Sequence, residues 1–342
     1  MKVTINDVAK KAGVSKTTVS RILNGNYSHT TEETKNRILQ VIKELDYRPN
    51  SLAKGLKSLR TNVIGMVLSN LKNPFWTSVL EGVEDACRES SYNLMICNSD
   101  ENPEIEEQYI RELQMRQVDG IVINPTVKNM ELYQKLQDEK YPLVVINRKI
   151  PGIAVHNVVM DNVKGASMAV RHLLRNGRKK IAAFVYQNEN ISTWGERIEG
   201  YRLAMLEAGF PESALRICEI EQKPGKTKET AMQYLREHPD IDAIFSTNNM
   251  MTLEVIKGIK ELNLRIPHDI ALVGYDETVW SEHMDPPLTT VMQPGYEMGR
   301  LAAKMLIKKV NSKRRSKPET VVLEPRLIVR TSCGSGIRPL DG

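Results

Sequence analysis

The sequence predicts an α/β protein: a small all-α headpiece followed by two doubly wound, parallel-sheet lobes. Apolar residues recur at helical spacing in the first segment, from Ile5 to Leu45. From Asn62 onward continuous apolar runs alternate with helical patterns, the texture of parallel strands covered on both faces. At 342 residues the chain is too long for one typical domain, and its many strands exceed one sheet.

In chain order, Thr4 is placed to cap the first helix, and Asp7 completes an approximate capping box. Ile5, Val8, Ala9 and Ala12 give that helix a narrow apolar face. Gly13 supplies the left-handed geometry of a sharp turn. Val14 plugs the angle, and Ser15 caps a second helix with Val19, Ile22 and Leu23 on its buried side. Lys16, Thr17, Ser20, Arg21 and Asn24 are left facing outward with almost no apolar surface. Cations and hydrogen-bonding groups in that pattern suit a helix lying in a DNA groove. An ordinary helical hairpin with a wet charged side is the competing reading. The tight spacing, the turn glycine and the outward Lys, Thr and Arg favour a helix-turn-helix. Thr4, Ser15, Thr18 and His29 complete the expected DNA-contacting set.

Thr30 with Glu33 predicts a capping box for a third helix, striped by Ile38, Val41, Ile42 and Leu45. Pro49 biases Arg48 away from the helical region and ends it. Residues 51–60, SLAKGLKSLR, are basic and marginal as a helix. They read either as a flexible linker or as a hinge that turns helical on DNA, with Leu56 as a minor-groove wedge. The expected division is therefore 1–48 headpiece, 49–60 hinge and 61–342 two-lobed body.

In the body, apolar runs at 63–68, 94–97, 120–124, 143–147, 157–160, 181–185, 215–220, 243–246 and 270–274 predict strands. Helical patterns between them include Trp76–Arg88, Ile105–Arg116, Gly165–Arg175, Arg197–Glu207, Thr227–Arg236 and Thr252–Leu262. A last helix, Tyr296–Val310, and a β-like stretch, Thr320–Val329, close the body. Ligands of such folds bind at the carboxyl ends of strands, which makes those ends the candidate site.

Charge is unevenly placed. The first sixty residues hold 12 Lys and Arg against 5 Asp and Glu, and the rest is balanced at 36 against 37. A cationic head on a neutral body is the footprint of nucleic-acid binding. Hydrophobic content of 41% with 26% charge is that of a chain with ample core, and no apolar run approaches bilayer length. The first residues lack the apolar stretch of a secretory signal, so a cytoplasmic location is expected. Cys87, Cys97, Cys218 and Cys333 lack metal-ligand spacing and read as reduced, mostly buried thiols.

The segments TINDVAKKAGVSKTTVSRILNG, YRPNSLAKGL, NPFW, VDGIV, GYDE and LIVRTSC together resemble the lactose-repressor/purine-repressor family of bacterial transcription regulators. The resemblance runs nearly end to end. It implies a helix-turn-helix headpiece, a hinge helix and a core similar to periplasmic sugar-binding proteins. It further implies a homodimer, in some members a tetramer, on a palindromic operator, with a small effector between the lobes. The absence of a long heptad tail after Val329 favours the dimer. The match places Lys16, Thr17 and Arg21 on the base-reading face and Leu56 on the family's minor-groove leucine, with Lys54 and Lys57 beside it for phosphates. It places the effector residues at Phe75, Trp76, Asn147, Thr193, Arg197, Lys223, Asn248, Asp276 and Gln293.

Three departures bear on the effector. Asn147 stands where many sugar-binding relatives have Asp, Asn248-Asn249 where Asn-Asp is common, and Lys223 where an aromatic is common. Each removes negative charge or adds positive charge, and a buried cation is costly unless an anion meets it. An acidic effector, a sugar acid or phosphorylated sugar held by Arg197 and Lys223, is the resulting expectation; Lys223, in the polar stretch EQKPGKTK, reads equally as an exposed lysine.

Two alternatives compete within binding proteins: control by a protein partner, as in carbon-catabolite members, and a sugar-binding transport protein. The latter is at odds with the cationic head and the missing signal. An enzyme is not expected, and no catalytic residue, metal or cofactor is assigned. Gly225-Lys226-Thr227 lacks the first Gly of a phosphate-binding loop, where Ile220 stands. His283, near Glu282 and Asp285, reads as a polar loop.

Overall fold

The computed structural model describes residues 3–23, 25–28, 30–47, 60–187, 191–223, 225–312 and 317–335. The chain divides into two units, Met1–Thr61 and Asn62–Gly342.

Within the first unit, α1 (Ile5–Ala12) opens on Thr4. Its hydroxyl accepts from the Asp7 amide at 3.4 Å, while Asp7 Oδ2 accepts from the Thr4 amide at 2.8 Å. This reciprocal box satisfies two donors that a helix start otherwise leaves unpaired. Gly13 ends the helix at φ 66°, where an L side chain would be strained. Ser15 Oγ accepts from the Thr18 amide at 3.1 Å and opens α2 (Lys16–Leu23). α3 (Glu32–Glu44) starts one residue later than expected. Thr31, not Thr30, accepts from the Thr34 amide, so the third helical residue is a threonine and Glu33 closes no box. Val8, Ala9, Ala12, Val19, Ile22, Ile38 and Val41 form the shared core.

The second unit runs β1 (Val63–Leu68), α4 (Phe75–Glu89), β2 (Asn93–Asn98), α5 (Pro103–Met115), β3 (Gly120–Ile123), α6 (Met130–Asp138), β4 (Leu143–Ile146) and β5 (His156–Met160). It continues α7 (Asn162–Arg175), β6 (Ile181–Tyr186), α8 (Ser192–Glu207), β7 (Arg216–Ile220), α9 (Lys226–Glu237), β8 (Ala243–Ser246), α10 (Asn249–Glu261) and β9 (Ala271–Tyr275). β10 (Thr289–Met292), α11 (Gly295–Asn311), β11 (Thr320–Leu323) and β12 (Arg326–Ile328) complete it.

These strands form two sheets, ordered β11-β5-β4-β3-β1-β2 and β12-β10-β9-β8-β6-β7. The first is parallel throughout. In the second only β12 runs antiparallel, against β10. The chain crosses between lobes three times: after β5, after β10, and between β11 and β12.

The return crossing is fixed by close helix packing. A Cβ on Gly82 of α4 would lie 2.0 Å from the Tyr296 carbonyl of α11, and one on Gly299 would lie 2.0 Å from the Val79 carbonyl. Only glycine lets the two backbones approach so closely. The sequence pattern marks neither α6 nor β10, and residues 320–329 read there as one stretch. That stretch is two strands in different sheets, parted at Glu324-Pro325, where proline offers no amide to a ladder. β10 is hidden because Thr289 and Thr290 break its apolar run, although both are fully buried. The Thr289 hydroxyl is bonded to the Arg330 carbonyl at 3.0 Å.

All four cysteines are free, and only Cys97 is more than slightly exposed. Burial pushes the Cys87 thiol up to about 11 and the Cys218 thiol up to about 12. Among the described residues no helix is long and apolar enough to cross a membrane, and no group of three or more His, Cys, Asp or Glu is placed to hold a metal ion.

Candidate functional site

On α2 the side chains of Lys16, Thr17 and Arg21 are exposed, while Thr18 and Ser20 are half-buried against the bundle. Thr4 and Ser15 spend their hydroxyls on helix starts, Thr4 donating to Asp7 Oδ2 at 2.7 Å. Among the described residues, what remains of the outward face is two cations and a hydroxyl, donors suited to guanine and phosphate. Asn24, His29, Leu56, Lys54 and Lys57 lie outside the described residues.

In the second unit the strand ends of both lobes open onto one cleft. Its space is about 60 Å³. Asn147 follows β4 directly and Asp276 follows β9 directly, at φ 63° and 69°. Asn and Asp tolerate this left-handed backbone better than other side chains. The neighbouring strand locks each in place: the Asn147 amide donates to the Val158 carbonyl and the Asp276 amide to that of Val291, both at 2.9 Å. Phe75 and Trp76 open α4, with ring centroids 5.0 Å apart, and both are packed in the core while edging the cleft. Thr193 and Arg197 sit one turn apart on α8, which brings them to the same face. Asn248 caps α10, accepting from the Met250 amide at 2.9 Å. Gln293, just past β10, donates to Asp276.

Arg197 is 3% exposed. Its Nε donates to Asn162 Oδ1 at 3.0 Å and its Nη1 to the Thr247 carbonyl. The guanidinium carbon stands 3.7 Å from the centre of the Tyr275 ring. Burial, partly opposed by that cation, pushes the Tyr275 hydroxyl far above its usual range. No carboxylate of the described residues forms an ion pair with Arg197. Several polar atoms around the cleft are buried without a hydrogen-bond partner among the described residues: Asn147 Oδ1, Asn249 Oδ1, Gln293 Oε1 and Arg148 Nε. Buried polar atoms are usually hydrogen-bonded, so this clustering marks a place for a polar guest.

Lys223 is not brought into the cleft. It pairs with Glu221 in solvent, its side chain 66% exposed, and Gln222 lines the cleft in its stead. Several lining residues have no place among the sequence expectations. Arg148 is bound bidentately to Glu101 at 2.8 and 2.6 Å and lies 5.9 Å from the Trp194 ring centre. Asn73 donates to Asp276 Oδ2 at 3.1 Å and accepts from Asn249 at 2.9 Å. Asn73 stands inside the NPFW segment and Arg148 next to Asn147, so proximity in sequence to residues already expected is the signal that points to them. With Arg148 neutralised by Glu101, the described charged lining is Arg197 facing Asp276, not a cationic cleft.

Two family models match the chain. "Bacterial regulatory proteins, lacI family" covers residues 4–50, and "Periplasmic binding proteins and sugar binding domain of LacI family" covers residues 61–331. The chain is 33% identical over 331 residues to the HTH-type transcriptional regulator KdgR of Bacillus subtilis (strain 168), covering 96% of this chain and 97% of that one. Among solved structures it resembles a transcriptional regulator CelR–cellobiose complex, with TM-score 0.71 and 29% identity over 96% of this chain and 99% of the other. It also shares the fold of a lac repressor dimer bound to operator and the anti-inducer ONPF, with TM-score 0.86 and 23% identity over 97% and 99% of the two chains. Both segments of the chain and nearly its whole length thus agree on one assignment: the chain belongs to the LacI family of bacterial transcriptional regulators.

Proposed function

We propose that the protein is a repressor of a carbohydrate-utilisation operon, released from a palindromic operator by a small polyhydroxy acid or phosphorylated sugar bound between the lobes. Two headpieces of a homodimer read half-sites about one helical turn apart. Lys16, Thr17 and Arg21 face base edges, with Thr4, Ser15, Thr18, Ser20, Asn24 and His29 around them and Leu56 wedging the minor groove. Phe75, Trp76, Asn147, Thr193, Arg197, Asn248, Asp276 and Gln293 form the effector site. Lys223 is left out, because its charge is met by Glu221 at the surface.

The observation that carries the effector class is Arg197. A cation 3% exposed, it shares the cleft lining with Asp276 but its hydrogen bonds among the described residues go to neutral acceptors and it forms no ion pair there. An anionic group on the ligand supplies the missing partner. Ligand hydroxyls then meet Asp276 and the unpaired amide oxygens. The CelR relative is a complex with a neutral sugar, cellobiose, so the charge preference is what calorimetry must decide. Titrating D-galacturonate against D-galactose, and gluconate 6-phosphate against glucose, tests it. Tighter binding of the acids is expected, and a preference for the neutral sugars overturns the acidic class.

A further inference from the structure

The side chain of Asn73 joins the two lobes through buried bonds. It stands on the first lobe, in the loop between β1 and α4, where its Oδ1 also accepts from the Phe75 amide at 2.9 Å. Across the cleft, its Nδ2 donates to Asp276 Oδ2 at 3.1 Å and its Oδ1 accepts from Asn249 Nδ2 at 2.9 Å. Both partners belong to the second lobe and are 2% and 0% exposed. One donor and one acceptor at a single point is what an alcohol group offers.

We propose that Asn73 is a built-in competitor of the effector: its amide occupies the place of a ligand hydroxyl that would donate to Asp276 and accept from Asn249, and so holds the lobes together. The proposal rests on reading this cleft as the effector site. A cleft of about 60 Å³ is far below the roughly 300 Å³ of a small-ligand pocket. A sugar therefore enters only as the lobes part, and parting them breaks the Asn73 bonds. An ion pair that also crosses between the lobes, Lys149 with Glu196 at 2.6 Å, lies at the rim with the lysine 49% exposed, where solvent screening leaves it little hold. The Asn73 bridge is shielded from water and keeps its strength. It follows that an effector must present a hydroxyl at this point, or the bridge is broken without replacement.

The test needs no effector, so its failure leaves the effector-site reading standing. Trp76 and Trp194 line the cleft at 4% and 6% exposure. In the full chain carrying Trp280→Phe, acrylamide quenching then reports cleft opening. Asn73→Ser keeps an acceptor for the Phe75 amide but is too short to reach Asp276. Asn249→Ala removes the other arm without altering the Asn73 loop. The quenching constant should rise about two-fold or more in Asn73→Ser and by less in Asn249→Ala, with unchanged far-UV circular dichroism. Quenching equal to the parent in both variants overturns the proposal. Should Asn73→Ser fail to fold, Asn249→Ala alone decides it.

Discussion

Replacing Arg197 with alanine should separate effector recognition from DNA binding. The guanidinium makes two hydrogen bonds, to Asn162 Oδ1 and the Thr247 carbonyl, and stacks on Tyr275. Asn162 Oδ1 retains the Tyr275 hydroxyl at 3.3 Å, so the Thr247 carbonyl is the acceptor that loses its donor. Losing those bonds costs about 2 kcal/mol, offset in part by no longer burying a cation. That sum stays below the 5–15 kcal/mol typical of a domain, so the lobe keeps its fold. On the ligand side, a charge-assisted hydrogen bond to an anion is worth about 2–3 kcal/mol. Binding of an acid should therefore weaken by roughly 30- to 150-fold. A neutral sugar, contacting the same group through a hydroxyl, should lose about 1 kcal/mol. Calorimetry with D-galacturonate and D-galactose measures both, and anisotropy on labelled duplex checks that DNA affinity is unchanged. Equal losses for acid and neutral sugar would rule out Arg197 as the anion's partner, as would a normal effector response.

Further expectations concern other parts of the chain. Arg21→Ala should cost about 1–3 kcal/mol of operator binding and relax selectivity at one base position, read by competition among single-base variants. Gly299→Ala would drive a methyl into the Val79 carbonyl at 2.0 Å; a loss of about 3 kcal/mol in urea unfolding is expected, and an unchanged midpoint would contradict the α4–α11 packing. The Cys333 thiol is pushed up by burial but brought down overall, from 9.0 to about 6, by hydrogen bonds led by that of His172. An acid whose folded value is depressed stabilises fully above its unfolded value, and that stability is lost as pH falls through the folded one. Stability should thus rise from pH 6 to pH 9 in the parent more than in Cys333→Ser; parallel curves would exclude this role.

The elements with strong local signatures are legible in the sequence. Thr4, Asp7 and Gly13 specify α1 and its turn through backbone chemistry alone. Fully buried parallel strands such as β3 and β4 read as unbroken apolar runs. Thr289–Met292 does not, because its polar side chains are satisfied by residues far along the chain, such as the carbonyl of Arg330. The strand-end rule leads to Asn147 and Asp276, which need only a strand and its last residue; Gln293 follows β10, a strand the pattern leaves unmarked, and comes from the family resemblance alone. The rule cannot lead to Glu101, whose use depends on Arg148 lying across from it. Nor can it show Lys223 turning to Glu221, since both exposure and pairing are settled by a loop. Residues that act singly at an element end are readable; those that act in pairs brought together by the fold are not.

On the proposed function, the headpiece grips a specific duplex and the cleft sets how firmly. This is tested most directly by equilibrium binding of the full chain to a palindrome selected from random duplex, at about 0.15 M salt, with and without D-galacturonate and gluconate 6-phosphate. Binding to the palindrome should be roughly a thousand-fold or more tighter than to random duplex, with a further change when an acid fills the cleft. Equal affinity for palindrome and random duplex in every condition would contradict it.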